Sequence, residues 1–154
     1  KLDELSQLFN VFLGQMSLVG PRPNVIDEVK LYSYEERELI TVKPGITDFA
    51  SIVFADEGDI LEGSLDPDLD YNQLIRPGKS LLGIFYVKNM NIFLDLQLII
   101  LTIISILNKR KSLNYLSLLI KKYNGDNFLV ELSKRDKPLI PMPPPGFDKI
   151  VSSR

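Results

Sequence analysis

The sequence predicts an α+β fold that is mostly helical, with minor short β-strands, in a single compact domain. Three observations predict it: a helical periodicity near the start, a long apolar stretch near residue 100, and β-rich runs too short for a large sheet. The chain has 154 residues, 45% of them hydrophobic, which is enough for a modest core. We expect one domain over residues 1–131, followed by a Pro-rich C-terminal extension over residues 132–154.

Residues 2–13 have the periodicity of an amphipathic helix. At about 100° per residue, one side is apolar and the other carries Asp3, Gln7 and Asn10. Asp3 and Glu4 form an acidic pair in the first turn, where the helix dipole and the unpaired amides favour an ionised carboxylate. Such a pair can be a base, a metal ligand or a nucleophile. It can equally be a helix cap, and both interpretations stay open at this point.

A stiff turn, Gly20-Pro21-Arg22-Pro23, follows this helix. Pro21 has a fixed φ, and the ring of Pro23 biases Arg22 towards extended conformations. A guanidinium on so rigid a frame loses little entropy when it binds a phosphate or a carboxylate. As structure alone, the segment is a loop after a helix.

The middle of the chain predicts short elements. We expect a helix that starts at Val25 or Tyr34 and ends near Leu39, and then a turn at Pro44-Gly45. A short strand or two are expected within residues 46–54 and 82–87.

Residues 92–107 are the most apolar stretch. They fall short of the roughly 20 residues that span a bilayer, and Asp95 and Gln97 interrupt them, so a buried or interfacial helix is expected. Asn91, Asp95 and Thr102 project to one side of that helix. A second amphipathic segment over residues 113–122 should pack beside it. The basic cluster 109–111 between them could complement a helix dipole or contact anionic lipid headgroups.

Composition excludes several classes of function. The chain has no cysteine and no histidine, which rules out disulfides, thiolate catalysis and cysteine zinc sites and fits a reducing compartment. The acidic run 56–70 has an EF-hand-like spacing at Asp66, Asp68 and Asp70. It lacks the glycine and glutamate that such a loop requires, so we expect a solvated loop. Basic residues lack interleaved aromatic side chains, and no nucleic-acid partner is expected.

Several blocks resemble the bacterial sugar transferases, the monotopic polyprenyl-phosphate phosphoglycosyl transferases that begin lipid-linked glycan assembly. The resemblance covers about residues 2–106. Its blocks are Asp3-Glu4-Leu5-Ser6-Gln7-Leu8-Phe9-Asn10-Val11, Gly14 to Pro23, Val42-Lys43-Pro44-Gly45-Ile46-Thr47, Phe85-Tyr86-Val87-Lys88-Asn89 and Leu94-Asp95-Leu96. Two positions depart from the family: Ser6 replaces a proline, and residues 48–51 read Asp-Phe-Ala-Ser instead of Gly-Trp-Ala-Gln. We assign no role to Asp48 or Ser51.

The resemblance implies a reaction and its residues. Asp3 would attack the β-phosphate of a UDP-sugar and expel UMP, and polyprenyl phosphate would then take the phosphosugar from the carboxylate. Glu4 would help to hold Mg²⁺, which offsets the charge of the diphosphate. The residues expected to bind the substrate are Arg22, Pro21, Pro23 and Gln7.

The resemblance also implies a location. Family members dock on the cytoplasmic face of the bacterial inner membrane through a hydrophobic N-terminal segment. We expect such a segment upstream of Lys1, so residues 1–154 alone should be nearly inactive. Robust UMP release by these residues from a UDP-sugar and polyprenyl phosphate would refute that expectation.

Two other classes of function remain open. In a non-catalytic membrane-surface or partner-binding module, Asp3 and Glu4 would be caps and Arg22 a turn residue. In a metal-dependent hydrolase built on the acidic run, activity would depend on Asp66 or Asp68 and be indifferent to Asp3.

Overall fold

A computed structural model describes the backbone of residues 2–22, 24 and 26–152, and the side chains of these residues except 2–6 and 27. Most of this part is helical and its sheet has two strands, which confirms the predicted mostly helical α+β class. The elements are α1 Leu2–Phe12, β1 Ser17–Val19, α2 Ile26–Lys30, a 3-10 helix Glu36–Ile40, β2 Gly45–Thr47, α3 Phe49–Val53, α4 Glu57–Leu61, α5 Pro67–Asp70, a π-helical turn Tyr71–Ile75, α6 Arg76–Asn89, α7 Ile92–Leu107, α8 Lys109–Lys122 and α9 Asn127–Lys134.

Strands β1 and β2 pair in parallel, with Ser17 opposite Gly45 and Val19 opposite Thr47. The backbones come unusually close at the end of β1, where a Cβ on Gly45 would lie 2.1 Å from the Gly20 amide nitrogen. Only glycine fits at that position. The pairing therefore sets where the chain turns into Pro21 and Arg22.

Two helices were predicted correctly, one amphipathic and one mostly apolar. The first was expected over residues 2–13 and is α1, and the second is α7 over Ile92–Leu107. The expected helix between Val25 or Tyr34 and Leu39 is two short pieces, α2 and the 3-10 helix. Gly45, expected in a turn, begins β2.

Two strand predictions were wrong in whole or in part. Residues 82–87 lie in α6, although their aromatic and β-branched composition favours a strand. Pro77 stands in the first turn of α6, where proline is tolerated, and Leu82, Phe85 and Tyr86 are buried at helical spacing. Within 46–54, strand β2 ends at Thr47, because the next residue, Asp48, caps α3, which starts at Phe49.

The acidic run 56–70 is not the predicted loop, since it contains α4 and α5. Asp66 caps α5 by accepting a hydrogen bond from the Leu69 amide at 3.2 Å. Ser64 donates a hydrogen bond to Asp70 at 2.5 Å. Local capping and turn contacts therefore account for two of the three carboxylates with EF-hand spacing.

The core lies between α3, α6, α7 and α8. Phe49 is fully buried and meets Phe85 edge to face, with ring centroids 5.4 Å apart. The Ser112 hydroxyl donates to the Leu101 carbonyl at 2.8 Å, which joins α8 to α7 as predicted. Helix α9 packs on α8.

Helix α7 turns both polar and apolar side chains inward and leaves much of its apolar surface outside. Thr102 lies 2.6 Å from the Thr47 hydroxyl, and Leu94 and Leu98 are fully buried. Several large apolar side chains on the outer side are more than half exposed: Ile92, Phe93, Leu96, Ile100, Ile103, Ile106 and Leu107. Of the helices that the structure describes, none has the length and apolar character needed to cross a bilayer.

Candidate functional site

A cleft of about 590 Å³ opens beside the turn that follows β1. Three cationic side chains, Arg22, Arg76 and Lys79, line it together with the carboxylates of Asp48 and Glu57. The cleft lies within the size range of small-molecule sites. Its cations make it suited to an anionic ligand.

The turn that carries Arg22 is supported by Tyr86 and Asp95, which belong to the two last blocks of the family resemblance. The Tyr86 hydroxyl lies 3.2 Å from the carbonyl of Val19, the last residue of β1, and 2.8 Å from Asp95 Oδ1. Burial raises the pKa of Tyr86, and the hydrogen bond to Asp95 adds to the rise, so this hydroxyl stays protonated. Tyr86 and Asp95 therefore support the strand that leads into Pro21 and the exposed Arg22.

Asp48 lies in the wall of the cleft and is almost completely buried. Its Oδ1 accepts a hydrogen bond from the Ser51 amide at 2.7 Å, and its own amide donates to the Ser51 hydroxyl at 2.7 Å. This is a capping box that begins α3. Burial raises the pKa of Asp48, while the Ser51 contacts, Lys79 and Arg22 oppose the rise. In the segment 48–51, where the sequence departs from the family, Asp48 and Ser51 thus cap a helix at the cleft.

Lys79 is the second cation that faces the cleft. Its ammonium pairs with Glu57 and lies 5.2 Å from the centroid of the Tyr71 ring. Contact with both a carboxylate and an aromatic ring restricts the positions that the ammonium group can take. Lys79 and Glu57 thus add one positive and one negative group to the cleft that Arg22 also lines.

Arg76 forms a buried ion pair that sequence reasoning missed. Its guanidinium donates to Glu36 at 2.7 and 3.1 Å, to the Leu31 carbonyl at 3.1 Å and to Asn72 at 3.2 Å. Glu36 is fully buried and also accepts from the Ser80 hydroxyl at 2.7 Å. Because four donors of Arg76 are engaged, its role in the cleft wall is structural. Glu36 and Arg76 lie 40 residues apart, and no local pattern joins them.

The model of the family described as bacterial sugar transferase matches residues 1–109. The chain belongs to the bacterial sugar transferase family. This confirms the resemblance, and the five charged residues that line the cleft all lie inside the matched segment.

Individual relatives support the assignment of this chain to the sugar transferase family. An uncharacterized sugar transferase, EpsL, of Bacillus subtilis is 38% identical over 106 residues, which are 69% of this chain and 45% of the relative. The UDP-glucose:undecaprenyl-phosphate glucose-1-phosphate transferase of Klebsiella pneumoniae is 39% identical over 66% of this chain and 20% of the relative. The undecaprenyl-phosphate galactose phosphotransferase of Salmonella typhimurium is 36% identical over 66% and 18%. The chain thus spans less than half the length of each.

The structure describes the side chains of three of the six predicted site residues of this sugar transferase chain. Arg22 and Pro21 line the cleft. The side chains of Asp3 and Glu4, and all of Pro23, lie outside the described residues. Gln7 is half-buried in α1 and is not among the described residues that line the cleft. The roles of all six residues stay predictions.

Within the described part of the chain, no group of three or more carboxylates is placed to hold a metal ion. In the cleft, Glu57 is paired with Lys79 and Asp48 caps a helix. The side chain of Glu4, the expected magnesium ligand, lies outside the described residues, so the Mg²⁺ expectation stays a prediction.

Proposed function

We propose that this chain carries the catalytic segment of a phosphoglycosyl transferase, which moves a sugar 1-phosphate from a UDP-sugar to polyprenyl phosphate and releases UMP. The observation that supports the proposal most is the cleft, where Arg22 and Lys79 face a space large enough for a nucleotide sugar. The names of two relatives, a glucose-1-phosphate transferase and a galactose phosphotransferase that use undecaprenyl phosphate, support the same reaction class. The product would begin a lipid-linked glycan.

In this proposal Asp3 is the nucleophile. Its carboxylate oxygen forms a bond to the β-phosphorus, and the bond from that phosphorus to the bridging oxygen breaks, so that UMP leaves with the bridging oxygen. An oxygen of polyprenyl phosphate then attacks the same phosphorus and frees the carboxylate. Asp3 lies in the first turn of α1, whose dipole favours the ionised carboxylate that such an attack needs.

Charge stabilisation in this proposal comes from the cleft. Arg22 binds the diphosphate from its rigid turn, and Lys79 adds a second positive charge in the same cleft. Mg²⁺ bound through Glu4 would offset further charge on the diphosphate. From the sequence, Pro21 and Pro23 are expected to restrict the backbone of Arg22, and Gln7 completes the expected substrate-binding set.

The test uses the full natural chain with UDP-glucose, UDP-galactose and their N-acetylamino counterparts, undecaprenyl phosphate and Mg²⁺. We expect UMP release with at least one donor, and Arg22→Ala should raise the donor KM by roughly tenfold or more through the loss of a charge-assisted bond. The matched control is Arg37→Ala, an exposed arginine that does not line the cleft. An Arg22→Ala variant with an unchanged donor KM would contradict the assignment.

We also propose that α7 docks on the membrane surface, at the cytoplasmic face of the bacterial inner membrane, where a polyprenyl phosphate would be met. The outer side of α7 supports this, since Ile100 and Ile103 are both more than half exposed. Beside it, Lys111 and Lys122 of α8 line an apolar groove and could contact anionic headgroups. The other two members of the basic cluster, Lys109 and Arg110, instead pair with Asp56 and Asp136.

Vesicle binding tests the docking surface. The double variant Ile100→Asp and Ile103→Asp should lower cosedimentation with phosphatidylglycerol vesicles by roughly tenfold or more, because two large apolar side chains are lost from the contact. Leu65→Asp is the control, as Leu65 is fully exposed within the acidic run. Equal binding by the double variant and the control would rule out α7 as the docking element.

A further inference from the structure

The Pro-rich tail lies beyond the segment that matches the family, which ends at residue 109. It nevertheless folds back to the N-terminal end of α6. The Met142 amide donates to the Gln73 carbonyl at 3.1 Å, and the Gln73 side chain donates to the Val151 carbonyl at 2.6 Å. Gln73 belongs to the π-helical turn immediately before Arg76. The tail is therefore attached at two points to the segment that leads into the cleft wall.

Between these two points, the tail contacts Ser33. The Ser33 hydroxyl donates to the Pro145 carbonyl at 2.5 Å, and Pro145 itself is buried. The next residue, Gly146, has φ of 78°, and a Cβ there would lie 2.8 Å from the Ser33 hydroxyl oxygen. Both the backbone angle and the close approach require glycine. This contact is thus specific to the sequence of the tail.

Ser33 passes the contact to the buried ion pair. Its hydroxyl accepts from the Glu36 amide at 3.0 Å, and its amide donates to Glu36 Oε2 at 3.1 Å. The same carboxylate oxygen accepts from Arg76 at 2.7 Å. Since Glu36 is fully buried and bonded to Ser33, its carboxylate has little freedom to move unless Ser33 moves with it.

Arg76 in turn holds the residues that line the cleft near Arg22. Its guanidinium lies 5.8 Å from the centroid of the Tyr32 ring and donates to the carbonyl of Leu31. The Tyr32 hydroxyl accepts a hydrogen bond from Asn24 at 2.6 Å. Asn24 and Tyr32 both line the cleft, and Asn24 is two residues beyond Arg22. A continuous set of contacts therefore runs from the tail to Asn24 in the cleft wall.

We infer that the Pro-rich tail positions the wall of the donor cleft: Pro145 and Gly146 hold Ser33, and through Glu36 and Arg76 they set the place of Tyr32. Prolines suit this task because they lose little conformational freedom when they dock. Ser33 and Gly146 are positioning residues, and neither is among the described residues that line the cleft. Calling the cleft a donor site rests on the proposed function, whereas the coupling between tail and wall does not.

The test compares two glycines with the same backbone angle. Gly146 and Gly63 both have φ of 78°, but a Cβ on Gly63 meets nothing within 4 Å. In the full natural chain, Gly146→Ala should raise the donor KM by roughly three- to thirtyfold with kcat nearly unchanged, a range typical of mutations within coupled networks. Amides of residues 31–39 should also exchange with deuterium faster. Gly63→Ala should change neither quantity, and Ser33→Ala should repeat the Gly146→Ala result.

Each outcome decides between positioning and simple stabilisation. If Gly146→Ala and Ser33→Ala lower Tm but leave the donor KM and the exchange of residues 31–39 at the level of Gly63→Ala, the inference is overturned. If the unmodified chain turns over no UDP-sugar, the proposed function fails, and the exchange of residues 31–39 still decides whether the tail holds the wall.

Discussion

Asp3→Asn in the full natural chain is expected to reduce UMP release from a UDP-sugar by roughly three orders of magnitude or more. An amide cannot form the acyl phosphate, so the substitution removes the two-step pathway itself rather than one contribution to it. Asparagine is nearly isosteric and is tolerated in first turns of helices, so the fold and Tm should be retained. The measurement is the initial rate of UMP formation, with the folded fraction checked by circular dichroism.

Asp66→Asn is the matched control for that experiment. Asp66 caps α5 in the acidic run and does not line the cleft. A transferase that uses Asp3 should keep its turnover in Asp66→Asn. Full turnover by Asp3→Asn together with a loss in Asp66→Asn would contradict the covalent mechanism and favour the metal-dependent hydrolase. A chain with no turnover in any form would favour the non-catalytic module.

Glu36→Ala should have the largest effect on stability. The carboxylate is fully buried and accepts bonds from Arg76, Ser80 and the Ser33 amide, so its removal leaves a buried guanidinium without its anion. Breaking a buried ion pair in this way costs about 3–5 kcal/mol of unfolding free energy. Chemical denaturation measures the change.

The control for Glu36→Ala lies in the same 3-10 helix. Glu38 pairs with Lys88 at 3.5 Å, and both side chains are well exposed, at 39% and 61%. Glu38→Ala should therefore cost less than about 1 kcal/mol. Restoring part of the loss with a second substitution, Arg76→Met, would identify the unpaired charge as the cause. Equal costs for Glu36→Ala and Glu38→Ala would contradict the structural role of the buried pair.

Local periodicity explains which parts of the fold could be predicted. The helices α1 and α7 have long apolar repeats, and these patterns do not depend on distant partners. The strands have three residues each, and their pairing depends on the contact between Gly20 and Gly45. Residues 82–87 were misassigned because a helix buried on several sides can have the composition of a strand.

The candidate site likewise contains residues that could be predicted from the sequence and residues that could not. Arg22 could be found because two prolines and a glycine mark its turn, and the structure places it in the cleft. Asp48 was noticed only as a departure, and its role as a cap depends on the geometry of Ser51. The pair of Glu36 and Arg76, and the contact of Ser33 with Pro145, join distant segments through burial. Such contacts leave no periodic signal in one sequence.

The covalent intermediate is the central claim, and intact-protein mass spectrometry tests it most directly. The full natural chain is incubated with its UDP-sugar and Mg²⁺ in the absence of polyprenyl phosphate, and its mass is then measured. We expect a gain equal to the sugar 1-phosphate less one water, located on the peptide that contains Asp3 and absent from Asp3→Asn. UMP release with acceptor present but no adduct on Asp3 in its absence, or an adduct on another residue, would contradict the claim.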